Sequence, residues 1–232
     1  MKLFSFLKKS QKKKLRNAIE IPDFFDLLNN DSPLILEIGA NDGATTLEFV
    51  SVFPQARIFA FEPEPRAIDL FKERQLPNNI KLIEMAIGAH TGTTEFFQSG
   101  GEPPKKVDEV DASQGWHLSG SIRQPKECLK EVPWVTFDSK IEIPICTLDH
   151  WSGSENITAV DLIWADVQGA EADLIAGASE TLAKTKFLYT EYDDRELYQG
   201  QVGLEEIVNL LPSFEIVEIF RHDVLLRNKD LS

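Results

Sequence analysis

Cysteine is nearly absent from this chain: Cys128 and Cys146 are the only two in 232 residues. They lack the close paired spacing of a metal clip or redox motif, so both are expected to be reduced thiols in a cytoplasmic protein. Long hydrophobic runs are missing too, since no stretch approaches the roughly eighteen apolar residues of a membrane span. Positive charge is scarce beyond the first nineteen residues, which hold seven Lys or Arg and no acid. The remainder carries 17 basic against 38 acidic residues. Binding to a nucleic-acid backbone requires Lys and Arg to neutralise phosphates, so nucleic acid is not an expected partner.

The basic leader MKLFSFLKKSQKKK has neither the long apolar core nor the cleavage site of a signal peptide. Its Leu3, Phe4, Phe6 and Leu7 among lysines suit either a solvated terminus or peripheral contact with an anionic membrane surface. At 42% hydrophobic residues the chain has ample material for one core. The expected organisation is a basic leader and N-terminal helices over 1–30, then a single domain over 31–232.

The segment LRNAIEIPDFFDLLNN predicts a short helix, a break at Pro22 and a second helix to about Asn29. PLILEI is a continuous apolar run of strand length, the pattern of a parallel strand covered on both faces. ATTLEFVSVF then reads as helix, ARIFAFEP as strand, PRAIDLFKERQ as helix and IKLIEMAIG as strand. This strict alternation predicts right-handed crossovers and a doubly wound α/β sheet. TGTTEFFQS adds a small strand, after which residues 99–140, rich in Gly, Pro, Lys, Glu and Ser, read as an insertion or lid. Regularity returns with KIEIPICTLDHW as strand and turn, VDLIWADV as strand, AEADLIAGASETLA as helix and KFLYTEY as strand. GLEEIVNLL follows as helix, and FEIVEIF with DVLLR as a closing hairpin.

Parallel sheets bind ligands beyond the carboxyl ends of their strands. There the sequence has Gly39-Ala40-Asn41-Asp42-Gly43, whose glycines permit a sharp turn and close approach. Glu62, nineteen residues after Gly43, ends the next strand and suits the two hydroxyls of a ribose. Met85, Ala86 and Ile87 at the third strand end suit the face of an adenine. The glycine spacing is not G-x-G-x-x-G, and Glu37 and Asp42 are expected to add negative charge where a pyrophosphate would rest. With Glu62 they form an acidic ring compatible with the sulfonium of S-adenosylmethionine and poor for NAD, which leaves an NAD-dependent oxidoreductase as the weaker reading.

LEIGANDG, FAFEPEP, MAIG followed by TG, TLD, DLIWADVQGAEADLIAGA and YTEY, in that order over residues 34–192, resemble the FkbM family of S-adenosylmethionine-dependent methyltransferases. The resemblance implies the class I methyltransferase sheet, seven strands with a C-terminal antiparallel strand. It also implies O-methylation of a hydroxyl on a saccharide or glycosylated small molecule. Glu37, Gly39, Asn41 and Gly43 match the family's cofactor turn, Glu62 and Pro63 its ribose-binding strand end, and Asp166, Gly169 and Glu171 its D-x-E-G-x-E segment beside the methyl-transfer centre. Ala40, Ala86 and Ile87 complete the expected cofactor site. Two positions depart from the family: Trp164 stands where a lysine is common, and Gln168 where a glutamate is usual. These departures motivate a second reading, a non-catalytic cofactor-binding or partner-binding protein that retains the fold.

A hydroxyl acceptor must lose its proton as the new bond forms, so a base is required. Asp166 is the first candidate, with Glu191 and Glu171 secondary as groups that orient the acceptor or bind a divalent metal. His117, next to Trp116 in the variable stretch, is the candidate that could reach over the site from a lid as base, with Trp116 as an aromatic platform for a sugar. His90, His150 and His222 are assigned to the surface. Metal dependence and oligomeric state stay open.

Overall fold

The computed structural model describes residues 15–103 and 115–231. The basic leader and the centre of the 99–140 stretch lie outside the described residues. The predicted strands assemble into a seven-stranded sheet of order β3-β2-β1-β7-β8-β10-β9. Its strands are β1 (Leu34–Ile38), β2 (Arg57–Phe61), β3 (Ile80–Ile83), β7 (Val160–Ala165), β8 (Thr185–Glu191), β9 (Phe214–Ile219) and β10 (Asp223–Asn228). The first five are parallel to one another, whereas β10 runs antiparallel to both β8 and β9.

Both faces of this sheet are buried, which is why its strands read as continuous apolar runs. Alternate residues serve opposite layers: Leu36, Ile38, Ile163 and Leu188 on one face, Ile35, Ile58, Leu162 and Tyr189 on the other. The second layer is closed by α1 (Asp23–Leu28) and α2 (Ala44–Val52), through Phe24 and Phe49. Phe24 is fully buried, a contribution of about 1.5–3 kcal/mol by transfer from water.

On the same face α3 (Pro65–Glu73) packs Phe71 on Ala60 and starts with Pro65 in its first turn, where a missing N–H costs nothing. Glu64 caps it, accepting the Arg66 N–H. The helix α8 (Leu204–Leu210) packs Leu204 and Ile207 onto the first layer.

Four local expectations are corrected. The helix before Pro22 does not form: the chain there runs along the sheet, where the Tyr189 hydroxyl accepts the Ile19 N–H at 3.4 Å and the Arg16 carbonyl accepts the Arg221 N–H at 3.0 Å. IKLIEMAIG is not one strand; it bends after Ile83, and β4 (Ala86–Ile87) joins a second sheet of order β4-β6-β5. The turn after IPIC is a helix, α5 (Leu148–Ser154), capped by the Thr147 hydroxyl accepting the His150 N–H. AEADLIAGASETLA divides into α6 (Glu171–Ala176) and α7 (Ser179–Ala183), because Gly177 lies so close to the Gly88 carbonyl that a Cβ would overlap it.

The second sheet is mainly the long hairpin of β5 (Gly92–Gly101) and β6 (Val135–Cys146). Its outermost pairs, Gly100 with Thr136 and Gly101 with Val135, carry strand structure into the 99–140 stretch from both ends. Between them the chain returns as a strap at 115–125, then α4 (Cys128–Glu131). That strap lies over the carboxyl ends of the main sheet.

Candidate active site

A cavity of about 250 Å³ opens beyond the carboxyl ends of β1, β2 and β7, roofed by the strap. Gly39 and Asn41 line it from the turn after β1, and Glu62 and Pro63 from the end of β2. Ala86, Ile87 and Met85 supply an apolar wall, Asp166 and Gln168 form the far end, and His117 reaches in from the strap.

Glu62 is held by two backbone amides: its Oε2 accepts the Asn41 N–H at 2.8 Å and its Oε1 the Glu64 N–H at 2.7 Å. Burial pushes its pKa up to about 7, against the pull of those two hydrogen bonds. Asn41 sits in the left-handed region at φ 48°. Its side-chain amide donates to the His117 carbonyl at 3.4 Å, tying the turn to the strap. Gly39 also has positive φ, 88°, and a Cβ there would overlap the Asp166 carbonyl oxygen. The glycine therefore brings the end of β7 against the turn as well as shaping it.

The expected acidic ring is corrected by this geometry. Glu37 does not line the cavity. It is fully buried beneath the turn, where the Thr46 hydroxyl donates to its Oε2 at 2.5 Å. Burial raises its pKa to about 8, so it is predominantly neutral at pH 7. Asp42 also faces away and pairs with Arg74 at 2.5 Å. Ala40 packs with Ala60 and Phe71, and Gly43 makes room for the Phe71 ring. Glu37, Ala40 and Gly43 thus support the turn from behind, and Glu62 alone of the three acids meets the cavity.

The far end holds a carboxylate pair. The Gln168 amide nitrogen lies 2.6 Å from Asp166 Oδ1 and 3.2 Å from Glu191 Oε2. Burial raises the pKa of both acids, and the neighbouring Asp166 charge raises Glu191 further. Contact between the two pulls Asp166 back down and pushes Glu191 further up, so Glu191 is the more readily protonated of the pair. Glu171 does not join this pair: it turns into the apolar layer beside Leu174 and Leu188, accepts the Gly169 N–H at 3.1 Å, and is pushed by burial to about 7. Its role is to fix the turn at Gln168 and Gly169, both at positive φ.

His117 is buried and lines the cavity, with Nδ1 3.2 Å from the Gly115 carbonyl oxygen. Trp116 is not in the cavity wall, so the expected aromatic platform is corrected; its ring meets Trp134 edge-on at 4.6 Å. His90, His150 and His222 are exposed. Trp164 stacks on Tyr189 at 4.2 Å and meets Phe24 and Phe49 edge-on, a core position away from the cavity.

Residues that no sequence signal marked also shape the site. The Tyr198 hydroxyl donates to the Ser119 carbonyl at 2.9 Å and lies 3.1 Å from Gln168 Oε1. The Ser121 hydroxyl donates to the Gln168 carbonyl at 2.7 Å, and Arg123 grips Asp173 through two bonds of 2.5 and 2.6 Å. Among the described residues no group of three or more His, Cys, Asp or Glu is arranged to hold a metal ion.

The sheet order, the antiparallel β10 between β8 and β9, and a cavity at the winding reversal with an acid ending β2 define a class I methyltransferase. The chain belongs to the FkbM methyltransferase family: the methyltransferase FkbM domain matches residues 37–220. It is an S-adenosylmethionine-dependent methyltransferase. The 2-O-methyltransferase NoeI of Sinorhizobium fredii is 47% identical over 210 residues, covering 88% of this chain and 83% of that protein. Methyltransferase sdnD of Sordaria araneosa is 23% identical over 172 residues, 67% of this chain and 64% of that one. A putative rRNA-methylase from Clostridium thermocellum has a TM-score of 0.47 at 10% identity over 93% of this chain and 97% of that one, a likeness too slight to add to the assignment.

The cavity suits the cofactor. Glu62 would offer its fixed carboxyl group to a ribose, Ala86 and Ile87 an apolar wall to an adenine, and Asp166 a carboxyl group to a sulfonium.

Proposed function

We propose that this chain transfers the methyl group of S-adenosylmethionine to a hydroxyl of a saccharide or glycosylated small molecule, with Asp166 as the base. The carrying observation is the Asp166–Glu191 pair at the far end of the cofactor cavity, bridged by one amide. Similarity to a protein named 2-O-methyltransferase supports a hydroxyl acceptor.

The bound cofactor supplies an electrophilic methyl on a sulfonium. The protein's share is positioning and proton removal. Glu62, Asn41 and the wall at Ala86 and Ile87 would hold the nucleoside end, and fixing both reactants lowers the barrier. Asp166 would take the acceptor proton as the methyl–oxygen bond forms and the methyl–sulfur bond breaks, leaving S-adenosylhomocysteine. Carboxylates also suit a polyhydroxy ligand because they accept hydrogen bonds from neighbouring hydroxyls. Asp223, opposite Glu191 in the β8–β10 register, extends that acceptor surface. The cytoplasm, contact of the basic leader with a membrane surface, and function without nucleic acid belong to the same proposal.

The test is methyl transfer from labelled S-adenosylmethionine to a panel of methyl glycosides with a free 2-hydroxyl. Asp166→Asn should lower turnover by about 10²–10⁴-fold, while binding of S-adenosylhomocysteine changes little. Full turnover in Asp166→Asn would reject Asp166 as base.

A further inference from the structure

We infer that Gln168 is a positioning residue: its side-chain amide nitrogen bridges Asp166 and Glu191 and holds the two carboxyls as one pair at the acceptor end of the cavity. The inference rests on the proposed reading of Asp166 as base.

An amide has one accepting end and one donating end. The nitrogen of Gln168 faces the acids, 2.6 Å from Asp166 Oδ1 and 3.2 Å from Glu191 Oε2. The flipped amide would set its oxygen against the carboxyl oxygens of both acids, so the acids themselves favour the orientation with the nitrogen toward them. The oxygen end lies 3.1 Å from the Tyr198 hydroxyl, whose single proton also faces the Ser119 carbonyl at 2.9 Å. The support is rigid. Tyr198 is buried with its ring over Gly169, where a Cβ would meet it at 2.8 Å, and the Gln168 carbonyl accepts the Ser121 hydroxyl at 2.7 Å.

A neutral amide at this point has a physical meaning. The charges of Asp223 from β10 and Glu171 from α6 act on Glu191, Asp166 acts on Glu62 from β2, the Tyr198 hydroxyl is close to Gln168, and His117 lines the same cavity. A further carboxylate would add repulsion at that point, whereas a neutral amide supplies two donors. Its N–H groups favour the ionised form of the acid that has to accept a proton. Gln168 acts through Asp166 and Glu191 and takes no proton itself.

The test labels aspartate side-chain carboxyls with ¹³C and follows their NMR shifts against pH, with Asp166→Asn identifying the Asp166 resonance. Gln168→Met keeps the length but removes the donors, and should raise the Asp166 titration midpoint by about one unit or more. Gln168→Leu, which also removes the donors, should move it in the same direction, and this second variant keeps the question answerable if the first folds poorly. Unchanged midpoints in the folded variants would overturn the inference. This readout needs no acceptor, so it is separate from the turnover of Asp166→Asn, on which the functional reading stands or falls.

Discussion

Thr46 and Glu37 meet at 2.5 Å beneath the cofactor turn, both wholly buried, and their bond joins the start of α2 to the end of β1. Burial raises Glu37 from 4.5 to about 8, so the folded protein holds a proton that the unfolded chain releases at lower pH. The folded state therefore binds more protons across that window, and stability falls as pH rises from about 4.5 to about 8. It is fully present below the window. Glu37→Gln keeps an acceptor for Thr46 and removes the titration. Thermal unfolding should show the variant close to wild type near pH 5 and more stable than wild type near pH 9; parallel curves would contradict this.

Gly39→Ala sets a Cβ against the Asp166 carbonyl and forces an L side chain to φ 88°. Left-handed strain costs on the order of 1–3 kcal/mol, and the overlap adds to it. Because the displaced group is the backbone of Asp166 itself, a lowered Tm should be accompanied by weaker S-adenosylhomocysteine binding in calorimetry. Wild-type affinity in the variant would show that the turn does not set the cavity.

Trp164→Lys should destabilise. Trp164 is partly buried and packs against Tyr189, Phe24 and Phe49, so its loss costs less than that of a fully buried aromatic, on the order of 2 kcal/mol. An ammonium among three rings adds a desolvation penalty. Denaturant unfolding should show a loss of that size, and cofactor affinity should change less than in Gly39→Ala. Unchanged stability would mean that these aromatic contacts carry little energy.

The alternation of apolar strands and helices made the α/β sheet legible because period and length need no knowledge of neighbours. The turn at Gly39, the acid at Glu62 and the aspartate at Asp166 were legible for a similar reason: each ends a strand, and strand ends are where such a sheet binds ligands. Side-chain direction was less readable. Glu37 and Asp42 looked like charges facing a ligand, but one is neutralised by burial and the other by Arg74. The helix expected before Pro22 failed because Ile19 and Ile21 are buried by the sheet, and tertiary contact outweighed local periodicity.

The sequence by itself determined the order of elements, the family and the residues at the strand ends, since these depend on local pattern and on an ordered series of motifs. Only the tertiary structure decided which acids meet the cavity and which support it. It also brought Glu191 and Tyr198 to Gln168, because contacts between residues 23 and 30 positions apart exist only once the chain has folded and leave no periodic mark along it.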